Sequence, residues 1–332
     1  MSITAPPRPA ATRLAPNWFA AVMGTGIVAS AAATLPLAGP MVTGGPGALL
    51  AGLATVVWAL AVVLLVVVTA ASVGGGDWRD HAGLSHFLGA RAMAPMSVAS
   101  ATLLVGHRVL GEPAAYGLAL ALWVVGTGLG LATATSARIR AHRRGPAEAA
   151  WLMPVVPPMV SAAVGALLAV RSPEPLATAL LVASWACFAT TLALGARPAA
   201  AVVRRVLGGD VPAAVPTLFI VLGPLGQSAT AALLLAPGRT LAVVYAAVVV
   251  VAALAWLGLS AVLVARRRPA FAMTWWAFTF PVGTVVTGLS GLAHATGSSV
   301  AAVLAVTTYA GLVAAWVVVG ARTLRGLRAL VG

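Results

Sequence analysis

Three apolar stretches carry small or polar residues at helical spacing, and these are the places where the chain could do chemistry. Pro154, Pro158, Ser161 and Gly165 share one helical face, and Pro216, Ile220, Gly223 and Gln227 share a second. Phe280, Thr284, Thr287, Gly288 and Gly291 share a third. Hydroxyls, amides and backbone dipoles of this kind can hold an anion by partial charge, whereas a cation path or a proton relay usually needs carboxylates inside the membrane. The six acidic residues fall in or near loops. Small-residue stripes also bring helices together, so each face by itself is compatible with packing. The residues selected as candidates to line a path are Gly24, Thr25, Pro95, Ser97, Pro158, Ser161, Gly223, Gln227, Thr284 and Thr287. Arg91, four residues before Pro95, is placed either to concentrate anions at the inner mouth or to reach lipid phosphate.

Covalent chemistry has little to work with. There is no HExxH sequence, no serine or cysteine with a base nearby in sequence, and no phosphate-cradling glycine loop. Cys187 is the single cysteine and offers neither a disulfide nor a metal framework. His81, His86, His107, His142 and His294 lie at the ends of apolar runs or in loops, and read as interfacial residues rather than ligands. The chain is therefore expected not to be an enzyme, and to need no metal and no cofactor.

The elements that must position these residues follow from composition. With 61% hydrophobic and 8% charged residues over 332 positions, the chain cannot present an ordinary wetted surface and reads as an all-α integral membrane protein. Apolar runs long enough to cross about 30 Å of hydrocarbon fall near 17–36, 47–72, 87–107, 114–136, 150–170, 175–195, 213–236, 240–264, 271–294 and 298–321. This predicts ten transmembrane helices, a short tail at 1–16 and another at 322–332. The prolines expected at membrane depth all fall in odd-numbered spans: Pro95, then Pro154, Pro157 and Pro158, then Pro216 and Pro224, then Pro281, with Gly24 and Gly26 at the matching depth of the first. An interrupted span followed by a smooth one recurs about every 60 to 70 residues, which reads as a helical hairpin used five times. Five parallel hairpins can close around a central pore lined by the odd helices. Pro281 is expected to break the ninth helix near its middle, leaving Phe280 at the bend, either as a plug in a narrow path or as an ordinary core phenylalanine.

A net charge of +14 would suit a nucleic-acid partner, but all 20 basic residues are arginines in alternate loops, so their placement is topological and no nucleic-acid partner is expected. Arg8, Arg13, Arg79, the cluster Arg138 to Arg144, Arg197, Arg204, Arg205, Arg266 to Arg268, Arg322, Arg325 and Arg328 fall on one side. Arg108, Arg171 and Arg239 fall on the other. The positive-inside rule puts the first group, and both termini, in the cytoplasm of a multi-pass cell-membrane protein in contact with lipid.

The segments PNWFAAVMGTGIVA at 16–29, WLMPVVPPMVSAA at 151–163, PTLFIVLGPLGQSATA at 216–231 and WWAFTFPVGT at 275–284 resemble the tellurite-resistance/dicarboxylate transporter family. That family includes TehA-like proteins, plant slow anion channels, and fungal sulfite-efflux and malate permeases. The resemblance spans almost the whole chain, with the four motifs in order. It implies five hairpins around a pore in each subunit, a homotrimer, small inorganic or organic anions as the transported partners, and an aromatic gate on the ninth helix. The gate carries over as Phe280, with Phe278 as the rival. The loop DWRDHAGLSHFLGARAMAP departs from the His-Pro-x-Arg pattern of many members. The resemblance leaves two mechanisms: a gated passive channel, or a coupled exporter of sulfite, tellurite or a C4-dicarboxylate.

Overall fold

Proline decides where the buried helices begin. The computed structural model describes residues 14–36, 46–73, 78 and 81–331, and all its regular structure is helical. Arg8, Arg13, Arg79 and most of the expected 1–16 tail lie outside the described residues. In chain order the helices are α1 (Phe19–Thr34), α2 (Pro46–Ser72), α3 (Leu88–Ala101), α4 (His107–Leu110), α5 (Glu112–Thr135), α6 (Ala137–Ala141) and α7 (Pro157–Ala169). They continue with α8 (Leu176–Leu207), α9 (Leu222–Leu235), α10 (Thr240–Arg267), α11 (Phe280–Thr296) and α12 (Ser299–Val331).

Short 3-10 turns at Pro16–Trp18, Ser85–Phe87, Ala149–Leu152, Val215–Val221 and Met273–Phe278 precede α1, α3, α7, α9 and α11. Pro157 and Pro158 open α7, Pro281 is the second residue of α11, and Pro224 is the third residue of α9. The first N–H groups of a helix have no intrahelical partner, so a residue that lacks an N–H is tolerated there. This corrects the expectation that Pro281 breaks a helix at its midpoint: it starts one. Only Pro95 lies inside one of these five helices. A second correction concerns the end of the sixth span, and Pro198 lies inside α8. The helix runs on to Leu207, past the expected end at 195, and Pro198 sits about 33 Å from its start, beyond one hydrocarbon thickness.

Two populations of helix result. The five that follow a 3-10 turn are 13 to 17 residues long, and α2, α5, α8, α10 and α12 are 24 to 33 residues long. The most apolar windows of the long helices are 17% to 33% buried, against 72% to 78% for Ser85–Leu110, Val215–Leu235 and Met273–Thr296. Leu49, Val56, Val251 and Val303 on the long helices are each more than 60% exposed, a surface suited to lipid. Among the described residues eight helical segments are long and apolar enough to cross a membrane, against the ten expected. The difference falls at α1 and α7, which are 16 and 13 residues long.

Helix α1 packs against α3, α3 against α7, α7 against α9, α9 against α11, and α11 back against α1. That closes a ring of five. Each member also packs on the long helix that follows it in sequence. Glycine permits the closest approaches: a side chain at Gly26 would meet Ser97 of α3, and one at Gly226 would meet the backbone of Thr284 and Val285 in α11.

Candidate functional site

The ring encloses a cavity of about 480 Å³ to which all five buried segments contribute. Its polar lining consists of Thr34, Ser97, Ser100, Gln227, Thr230, Thr287 and His294, and among the described residues no Asp, Glu, Lys or Arg faces it. The lining follows α11 from Phe280 to Ala295, about 22 Å at 1.5 Å per residue. At the wide end, where the ring helices finish, it reaches Thr34, Pro237 and Gly238. At the deep end lie Ile27, Met96, Val160 and Phe280.

Helical geometry fixes how these groups present themselves. Ser97 Oγ donates to the Met23 carbonyl at 2.9 Å, tying α3 to α1. The Thr230 and Thr287 hydroxyls lie 2.8 Å apart and each also reaches a carbonyl of its own helix, Gly226 at 3.1 Å and Thr284 at 3.0 Å. Each hydroxyl has one proton and more than one acceptor for it, so a small rotation can turn either proton toward a ligand. The Gln227 side chain contributes amide donors to the same wall.

Phe280 is 2% exposed and forms part of the deep end, while the next residue, Pro281, lines a separate void of about 30 Å³. Met23, Phe87, Met153, Ile220 and Trp276 also line that void, so each of the five ring helices or the turn that precedes it contributes to it, and it lies on the axis of the ring. Room for about two waters remains there. Phe280 therefore lines the wide, partly polar chamber, and the residue after it in the chain lines the narrow, apolar void.

A family model for voltage-dependent anion channels matches residues 13–324. The chain belongs to that family. It is accordingly a multi-pass membrane protein of an anion channel and transporter family. A comparison with curated proteins gives no match.

In this member of the voltage-dependent anion channel family, the candidates read from sequence separate into two groups. Ser97, Gln227, Thr287 and Phe280 come together around the cavity. Gly24, Thr25, Pro95, Pro158, Ser161, Gly223 and Thr284 lie outside its lining. Thr25 donates to Ala21 O at 2.8 Å and accepts from Trp316 Nε1 at 3.0 Å, so it faces α12. Ser161 accepts from Thr127 of α5 at 3.0 Å, and Gly165 on the same stripe abuts Trp123 and Ser184, which makes that face a seam with the outer helices. Thr284 reaches Pro281 O at 2.6 Å and Leu222 O at 3.2 Å, toward α9. Gly24 packs against Thr279 and Trp276, and Gly223 faces Val156. Pro95 is buried inside α3, and Pro158 is buried in the first turn of α7.

The chain of Phe278 is in 3-10 geometry, separated from α11 by Thr279 at φ −102° and ψ −82°. Its ring packs on Phe219 at 4.7 Å and Trp275 at 5.5 Å and lines neither void. Arg91 is exposed and lines a lateral cleft with Leu88, Thr133 and Ile139, against α5 and α6 rather than the cavity. Reasoning from sequence missed Ser100, Thr230 and His294. Each was within reach of the same helical rule: Ser100 is three residues past Ser97, Thr230 three past Gln227, and His294 seven past Thr287.

The opposite face of the molecule carries arginine. Arg143 donates to Trp151 O at 2.9 Å, and burial together with the neighbouring Arg140 lowers its pKa from the usual guanidinium value. Arg205 makes two hydrogen bonds to the Asp210 carboxylate, at 2.8 and 3.2 Å, and these hold the carboxyl below its ordinary range. Among the described residues no three His, Cys, Asp or Glu side chains gather into a metal site.

Proposed function

We propose that the protein is a passive channel for small anions, with the path along the axis of the helix ring and Phe280 as its gate. The observation that carries this reading is that Phe280 lines the deep end of the 480 Å³ chamber while the next residue, Pro281, lines the 30 Å³ void. An aromatic ring in so narrow and apolar a passage blocks by bulk and by excluding water. The chamber's neutral hydroxyls and amide attract anions by partial charge and form no tight cage, so selection against cations is strong and selection among small anions weak. A lining without carboxylate or lysine supports passive flux over coupling to protons through the chamber wall.

In this reading ten helices cross the membrane as five hairpins, α1 and α7 completing the crossing with their preceding turns. Both termini are cytoplasmic, the chamber opens to the outside, and three subunits assemble with a separate path in each. The alternation of arginine between Arg138–Arg144 and Arg266–Arg268 on one side and Arg171 and Arg239 on the other supports the orientation. Phe280→Ala protein in liposomes with asymmetric KCl tests the function. A reversal potential near that of chloride is expected, and one near that of potassium overturns the anion assignment. Cysteines placed at Arg143 and Arg239 in a Cys187→Ser background test the orientation, which fails if Arg143 labels from outside.

A further inference from the structure

One side chain in the chamber wall is an imidazole, a group with a neutral and a cationic form, and it stands close to the wide end. His294 lines the cavity from the last turn of α11, and its Nδ1 lies 2.7 Å from the Ser290 carbonyl oxygen. A carbonyl oxygen only accepts, so Nδ1 carries a proton. In the neutral ring Nε2 is then a bare lone pair, which repels an anion. Taking one proton from solvent at Nε2 makes that atom an N–H donor and gives the ring a full positive charge.

We propose that His294 forms an anion-binding site at the outer mouth that operates in its protonated form. This rests on the reading of the chamber as an anion path. The rest of the chamber wall is neutral, so protonation of His294 changes the sign of the field an arriving anion meets there. The charged groups around the same end are Arg239, next to the lining residue Gly238; Arg171 and Glu174 between α7 and α8; and His107, Arg108 and Glu112 between α3 and α5. His107 lies 4.0 Å from Glu112 and is paired with it rather than with His294. None of these groups lines the cavity, so they supply a standing background and not the switch. The ligand class is a small anion able to accept one N–H hydrogen bond, for which chloride and nitrate are the probes.

Two measurements separate this inference from the reading beneath it. In Phe280→Ala protein in liposomes, lowering external pH from about 8 to about 5.5, a range that spans the usual histidine titration, is expected to improve the apparent affinity for external chloride about tenfold. Adding His294→Gln keeps a neutral donor and should abolish that pH dependence; a pH dependence that survives His294→Gln overturns the site. The second measurement needs no conduction. If an anion binds only the protonated ring, chloride must raise the ring's proton affinity by linkage. The ¹⁵N-imidazole titration of His294 in nanodiscs, assigned by its loss in His294→Gln, is expected to move to higher pH as chloride or nitrate is added. A midpoint independent of both anions overturns the inference. A midpoint that moves in protein whose Phe280→Ala variant passes no anion supports the site and refutes the path.

Discussion

Replacing Phe280 by alanine should raise anion flux by about two orders of magnitude, and the structure gives the reasons for that size. The ring is 2% exposed and lines the deep end of the chamber, and the next residue, Pro281, lines the narrow void. An anion crossing there must shed much of its water beside a ring whose face is electron-rich. The effective penalty for desolvating an ion is several kcal/mol, and relieving about 3 kcal/mol of it corresponds to roughly a hundredfold in rate. Folding also loses something. Phe→Ala costs about 3–5 kcal/mol in packed cores, and because one side of this ring already borders an open chamber, about 3 kcal/mol at the low end of that range is expected. The control is Phe278→Ala. Its ring packs edge-on against Phe219 and at a tilt against Trp275, so its loss removes aromatic pairs worth about 0.5–1.5 kcal/mol each beyond their buried area without opening either void. Flux by stopped-flow fluorescence quenching in liposomes, with helicity and elution profile as folding checks, decides between them. An unchanged flux in folded Phe280→Ala protein, or an equal rise in Phe278→Ala, would refute the argument.

Further outcomes follow from the same geometry. Because the void beneath Phe280 holds about two waters and is lined by Met23, Phe87, Met153 and Ile220, it should limit flux once the ring is gone, so Met153→Ala is expected to raise flux more in the Phe280→Ala background than in the native one. Equal effects in the two backgrounds would show that the void is not in series with the ring. Gly226→Val places a branched side chain against the backbone of Thr284 and Val285, and a loss of about 1–3 kcal/mol or more is expected, read as a lower melting temperature in detergent. An unchanged melting temperature would mean that α9 and α11 do not approach so closely. Asp210 has a folded pKa below its unfolded one, so its ion pair with Arg205 contributes stability above the ordinary aspartate value, and that contribution is lost as pH falls through the lowered value. Arg205→Gln should return the Asp210 carboxyl titration, followed by ¹³C shifts, toward about 3.9, and an unmoved midpoint would count against the pairing.

The sequence by itself determined the solvent and the family. A chain with 61% hydrophobic and 8% charged residues has one environment in which it can fold, and the spacing of its prolines, with Gly24 and Gly26 in the first, marked the five segments that the structure buries in the ring. It also singled out Phe280, because helical spacing from Thr287 and Gly291 reaches it and those residues line the same chamber. Whether a proline kinks a helix or starts one depends on whether the preceding residues can form a 3-10 turn against their neighbours, and Pro281 shows that tertiary contact settles this. The faces of the ring helices were equally undetermined. Helices buried on every side have no apolar stripe to orient them, and a hydroxyl can bond to a carbonyl of its own helix whichever way it faces. Thr25, Ser161 and Thr287 all do so, yet Thr25 faces α12, Ser161 faces α5, and only Thr287 faces the chamber. The rotation of each helix in the ring is set by where Gly26, Gly165 and Gly226 let neighbouring helices approach, a property of pairs of segments far apart in sequence that no single segment encodes.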